Sequence, residues 1–192
     1  MFTNNQPELW EDALQYVNDA TYYYSKWLGD YPYNNVTAVD GTISAGGGME
    51  YPNVTVIGSA SSAIELELVI AHEVGHNWLY GILGSNERDH AWMDEGMNSY
   101  YEYRYMTQYY GARADFGLPK FISKSLDGDL YELGLLFQGR RRLDQAPDTP
   151  SDDFSQTNYG LSSYMKPGTA FGHLEQYLGF AIDSLPTSSG YG

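Results

Sequence analysis

The feature that most constrains this chain is His72-Glu73-Val74-Gly75-His76, which continues an apolar stretch led by Ile64, Leu66, Leu68, Val69 and Ile70. The apolar spacing predicts a helix over residues 62–79. On a helix, positions i and i+4 share a face, so His72 and His76 can hold one metal ion between them. Glu73 lies one residue on, angled toward a water on that ion. The chain contains no cysteine, which removes disulfides, thiolate ligands and a cysteine nucleophile. Imidazole and carboxylate remain, a donor set that suits zinc, for which three protein ligands plus water is the catalytic arrangement.

A third ligand should come from a second helix. Trp92-Met93-Asp94-Glu95-Gly96 opens a helix expected over residues 93–110, and Glu95 stands 19 positions after His76. That separation lets one helix end, a polar connection at 84–90 turn, and the next helix return antiparallel. Asp94 and Glu95 also read as carboxylates at a helix start, where the dipole favours them. Glu102 falls seven residues after Glu95, either supporting the site or sitting at the edge of the core. His90 reads as a loop histidine or as a neighbour of the metal, and His173 as a structural or surface residue.

The remaining elements frame this pair. A first helix is expected from a cap at Asn5, with Pro7 near its start and Trp10, Ala13, Leu14, Val17, Tyr24 and Trp27 at helical spacing; Gly29 and Pro32 close it. Short β-type runs follow at 35–39 and 53–57, separated by Gly46-Gly47-Gly48-Met49-Glu50-Tyr51-Pro52, a loop or irregular edge strand. A short helical run is expected near 118–126, weak patterning over 127–159, and a last helix over 161–178. The tail at 184–192, rich in Ser and Gly, should fray. Tyr100, Tyr101, Tyr103, Tyr105, Tyr109 and Tyr110 read as helix packing, and Arg140-Arg141-Arg142 as a solvated or carboxylate-paired patch. The expected class is α+β, mainly helical, with a small sheet preceding the His72 helix.

Composition sets the outer limits. The 192 residues suit one domain, and 42% hydrophobic content supplies a core. With 10 Lys+Arg against 25 Asp+Glu, the net charge of −15 argues against nucleic acid and anionic membrane as partners. No apolar run is long enough to span a bilayer, and the N-terminus lacks the pattern of a signal peptide. Compartment stays open: secreted, periplasmic and cytoplasmic placements all fit a longer parent protein.

Taken together, these motifs resemble those of the zinc aminopeptidases typified by aminopeptidase N, the gluzincins. That family carries H-E-x-x-H, eighteen residues, then E; here His72, Glu73, His76 and Glu95 match, within Asp94-Glu95-Gly96. Its upstream G-x-M-E-N motif is matched by Gly48-Met49-Glu50, preceded by Gly47, with Tyr51 in place of the Asn. Its downstream Y-x-K-G context is matched by Tyr164-Met165-Lys166-Pro167-Gly168, with one inserted Pro.

The resemblance implies a thermolysin-like catalytic domain holding one zinc ion on His72, His76 and Glu95. By the same resemblance, Glu73 is the general base and acid and Tyr164 stabilises the oxyanion. Glu50 binds the free α-ammonium of a peptide, beside Met49 and backbone from Gly47 and Gly48. It implies a zinc-dependent aminopeptidase acting on peptides with a free N-terminus. Tyr51 leaves room for a zinc endopeptidase or another hydrolase on the same scaffold. Family members carry flanking domains that this chain lacks, so residues 1–192 read as one partial catalytic domain. An inactive fragment that binds zinc or peptide is the further alternative.

Overall fold

The computed structural model describes residues 6–43, 47–110 and 130–179. Their elements are α1 (Ala13–Leu28), β1 (Thr37–Asp40), β2 (Gly48–Met49), β3 (Val54–Ile57), α2 (Ala63–Gly75), a π-helical turn (Trp92–Gly96) running into α3 (Met97–Tyr110), α4 (Leu130–Arg141), a 3₁₀ turn (Ser151–Asp153), the short α5 (Gln156–Asn158), a second π-helical segment (Tyr159–Met165) and α6 (Lys166–Leu178). The class is α+β and mainly helical, with one three-stranded sheet, as the patterning indicates. No described helix is long and apolar enough to cross a membrane.

Helix α1 buries Ala13, Val17, Ala20 and Tyr24, a stripe at alternating steps of four and three. Leu14, expected in that stripe, lies one position off it and is 78% exposed. The helix also starts later than expected, after turns at 7–12; the expected cap Asn5 lies outside the described residues. At its far end Gly29 has φ 104°, and its carbonyl accepts from Trp78 Nε1 at 2.8 Å. That bond fastens α1 to the chain just past His76.

The sheet order is β1-β3-β2, parallel between β1 and β3 and antiparallel between β2 and β3. The glycine-rich stretch thus supplies a two-residue edge strand. The turn between β2 and β3 carries Asn53 at φ 54°, and Asn53 N donates to Asn77 Oδ1 at 2.8 Å. The sheet edge is thereby tied to the end of the His72 helix.

Helix α2 begins with Ser62 as its cap: Ser62 Oγ accepts from Glu65 N at 3.3 Å, while Glu65 Oε2 accepts from Ser61 N at 2.7 Å. It stops at Gly75, and turns carry the chain on to residue 83, shorter than the run to 79 that the apolar pattern suggests. Everything from Ile70 to Leu79 is buried. Glu67, also buried, accepts from Tyr105 Oη at 2.8 Å and from Tyr110 Oη. Tyr105 is a core residue, whereas Tyr103, Tyr109 and Tyr110 are exposed. The stretch 127–159, weakly patterned in sequence, holds α4, whose residues 134–141 are half-buried or exposed. The expected helical run near 118–126 and the tail at 184–192 lie outside the described residues.

Two glycines give opposite expectations. A Cβ on Gly75 would lie 2.1 Å from Asn98 Oδ1 and 2.4 Å from the Tyr24 ring, where α1, α2 and α3 meet. Gly75→Ala should therefore destabilise the chain by about 1–3 kcal/mol through overpacking. A Cβ on Gly172, inside α6, would meet nothing within 4 Å. Gly172→Ala should gain about 0.5–1 kcal/mol from helix propensity. Urea denaturation of the two variants checks both signs; equal midpoints would refute the packing argument.

Candidate metal centre

His72 and His76 leave α2 on one face, with ring centroids 4.8 Å apart. Glu95 meets them from the π-helical turn ahead of α3. His72 Nε2 lies 3.1 Å from His76 Nε2 and 3.1 Å from Glu95 Oε2, and His76 Nε2 lies 3.3 Å from the same oxygen. Three donors bonded at about 2.0–2.1 Å to one tetrahedral ion stand about 3.3–3.4 Å apart, so the triangle has the size such an ion requires. All three residues are buried.

Each imidazole is held from behind. His72 Nδ1 lies 2.5 Å from Glu102 Oε2. His76 Nδ1 is 3.1 Å from the Leu79 carbonyl, and Asp94 Oδ1 sits 2.6 Å from the same nitrogen but off the line its N–H takes. Partners of this kind fix the ring so that Nε2 faces the metal. Asn98, fully buried, donates from Nδ2 to the His72 carbonyl at 2.7 Å and accepts from Tyr24 Oη at 3.4 Å.

The electrostatics follow from this crowding. Burial pulls the His72 pKa down, but hydrogen bonds to Glu102 and Glu95 more than offset it, and the value rises to about 10. Burial raises Glu95, yet the two imidazoles hold it well below the usual carboxylate range. Burial pushes Glu73 up, against the pull of His72 and His76. Its Oε2 is buried and has no hydrogen-bond partner among the described residues, a lone acceptor beside the donor triangle.

The other sequence-nominated residues are partly gathered here. A Cβ on Gly48 would lie 2.5 Å from the Glu73 carboxyl carbon, so this edge-strand position packs directly on the Glu73 carboxylate. Met49, next along the strand, faces the opposite side of the sheet and is half-buried. Gly47 is exposed at the rim, with φ 71°. Glu50 brings an oxygen within 4.8 Å of ligand atoms of Glu73 and His76. Burial is the largest influence on Glu50 and raises its pKa to about 7. Tyr164 Oη donates to Glu95 Oε1 at 2.6 Å, and its ring stacks on His72 at 5.9 Å. Burial, then Glu95, pushes the Tyr164 phenol far above its ordinary range.

Sequence reasoning missed Tyr159. It packs edge-on against Tyr164 at 5.7 Å, and burial and Glu95 raise its pKa. Its position five residues before Tyr164 hides it, because an α-helix turns such a pair about 140° apart. The segment is π-helical, and i→i+5 bonding brings the two rings to one side. His90 is exposed and contributes nothing to the triangle, and His173 is likewise exposed. Arg140, Arg141 and Arg142 are exposed too, with Arg141 over the Phe137 ring at 5.3 Å.

One divalent first-row ion per chain is expected to bind here, and a chelator should lower the thermal midpoint. Glu102→Ala should weaken metal affinity about 10–100-fold, measured by competition with a chromophoric chelator. Unchanged affinity would show that Glu102 does not orient His72.

Comparison with known proteins places this geometry. Residues 13–182 match the peptidase family M1 domain. Leucine aminopeptidase 2-1 of Meyerozyma guilliermondii is 36% identical over 73 residues, covering 36% of this chain and 12% of that protein. Leucine aminopeptidase 2 of Neurospora crassa is 35% identical over 94 residues, covering 46% of this chain and 14% of that protein. The match therefore spans only a small part of either relative. With most of its length matched by the family's domain, the chain belongs to peptidase family M1.

Proposed function

We propose that this chain is the catalytic region of a zinc aminopeptidase with a thermolysin-like active site. The observation that carries the reading is the donor triangle of His72, His76 and Glu95 with the lone buried oxygen of Glu73 beside it. When bound, zinc would bring the pKa of its water to about 7 and polarise a carbonyl. The chain's own residues do the rest. Glu73, held against Gly48, accepts the proton from the attacking water and returns it to the leaving amine. Tyr164, kept fully protonated, donates a hydrogen bond to the oxyanion, a contact worth about 2.7–4 kcal/mol in comparable sites. Glu50 stands beyond Glu73, where a fixed carboxylate can register a free α-ammonium and set the chain of a peptide in place.

The relatives' names support peptides as substrates, and the reading treats the 192 residues as a single catalytic unit of a longer polypeptide. Tyr51, where the family has Asn, is exposed and keeps an endopeptidase reading in view.

Glu73→Gln should keep the metal and lose turnover by about 10²–10⁴-fold. Retained turnover in a metal-loaded sample would remove the base from this scheme. Peptides with free and acetylated N-termini separate the remaining readings. Free peptides should be strongly preferred, and Glu50→Ala should erase most of that preference through KM. Equal cleavage of blocked peptides would mark an endopeptidase.

A further inference from the structure

Asn98, the second residue of α3, is fully buried, an uncommon place for a side-chain amide. Such a group is tolerated in a core when its donor and acceptor ends are both used. Here Nδ2 donates to the His72 carbonyl at 2.7 Å, and Oδ1 accepts from Tyr24 Oη at 3.4 Å. Neither bond serves α3 itself; the partners lie on α2 and α1. Tyr24 decides which way the amide faces. Burial, then Glu102, pushes its phenol well above its ordinary value, so Oη keeps its proton and donates. Its ring is fixed by stacking on Trp78 at 5.8 Å. With Oδ1 taken by that donor, Nδ2 is the end left for His72; a reversed amide would set its oxygen against the carbonyl oxygen.

Helix α3 grips His72 a second time. Glu102 stands four residues after Asn98, on the same face of α3, and its Oε2 lies 2.5 Å from His72 Nδ1. One residue of α2 is thus held by its backbone and by its ring from a single face of α3. Asn98 also follows Glu95 by three residues. Its bond to the His72 carbonyl therefore ties the stretch that carries Glu95 to the helix that carries both histidines. Glu95 Oε2 stands 3.1 Å from His72 Nε2. Ligands that come from two different elements keep such a spacing only when the supporting groups lock those elements together. Gly75, between the two histidines, makes room for the lock: a Cβ there would stand 2.1 Å from Asn98 Oδ1.

We propose that Asn98 is a positioning residue for the metal centre: by holding the His72 carbonyl it sets the separation of His72 and Glu95, and Tyr24 orients the amide that does so. The inference rests on the metal-centre reading and deepens it.

The test titrates the full chain with zinc(II) against a chromophoric chelator, without denaturant, where circular dichroism shows the variants folded. Asn98→Ala should bind zinc about tenfold more weakly. Tyr24→Phe, which keeps the ring and its stacking, should weaken binding about threefold. Val17→Ala, in the same buried stripe of α1, should lower the urea midpoint and leave zinc affinity alone. That contrast separates positioning from a loss of stability, which alters affinity only where unfolded chain is populated. Asn98→Ala binding zinc as tightly as the unchanged chain overturns the role, as does an equal loss of affinity in Val17→Ala. If Asn98→Ala does not fold, Tyr24→Phe decides, and unchanged affinity there overturns the proposal. An unchanged chain that binds no zinc removes the metal centre itself, and the role with it.

Discussion

The structure is organised by the burial of a polar helix end. From Ile70 to Leu79 α2 and its following turns have no solvent side, yet they carry His72, Glu73, His76 and Asn77. Buried polar groups are tolerable only when each has a partner. The neighbours of α2 supply those partners in turn. Asn77 caps the β2–β3 turn, Asn98 holds the His72 carbonyl, Glu102 and Asp94 back the two rings, and Trp78 reaches the end of α1. The fold around the candidate metal centre is largely the set of elements that answer these demands. Glu73 is the exception, its Oε2 left without a partner, and an unanswered buried acceptor is where chemistry is to be sought.

Such closeness requires small residues at chosen points. Gly75 lets α1 and α3 reach the histidine helix, and Gly48 lets the edge strand lie on the Glu73 carboxylate. Gly96 does the same between the two π-helical segments: its Cβ would stand 2.3 Å from Pro167 Cγ and 2.9 Å from the Ser163 carbonyl. Glu95 and Tyr164 meet across that contact. The inserted Pro167, which departs from the family's Tyr-x-Lys-Gly context, is buried there against Gly96, so it is part of the packing that brings Tyr164 to Glu95.

What could be read from the sequence follows the same physics. The meeting of His72 and His76 was legible because i, i+4 spacing on a helix is a local rule, and that of Glu95 with them because its separation suits an antiparallel return. The sheet runs at 53–57 and the edge strand at Gly48 were legible from β-branched residues and breakers. Leu14 was misplaced because a stripe of small and aromatic residues at 13, 17, 20 and 24 won the core, leaving the leucine one step outside. Helix α4 escaped notice because its apolar and polar residues do not segregate. Glu102 could be placed on the Glu95 face by its seven-residue spacing and Asp94 at a helix start, but which histidine each one meets, and that Tyr159 joins Tyr164, depend on tertiary contacts that no local pattern encodes. Tyr159 in particular needs a helix period that sequence reasoning does not assume.

The π-helical segments explain why two separate stretches can converge so tightly. The wider turn at 92–96 buries both Asp94 and Glu95, Glu95 on the donor triangle and Asp94 behind His76. Segments of this kind are rare and occur frequently at functional sites. Both occur where residues of the candidate metal centre are carried, and they pack on each other at Gly96. The irregular helical turns and the polarity buried in α2 therefore sit at one place, and the rest of the fold is arranged to hold them there.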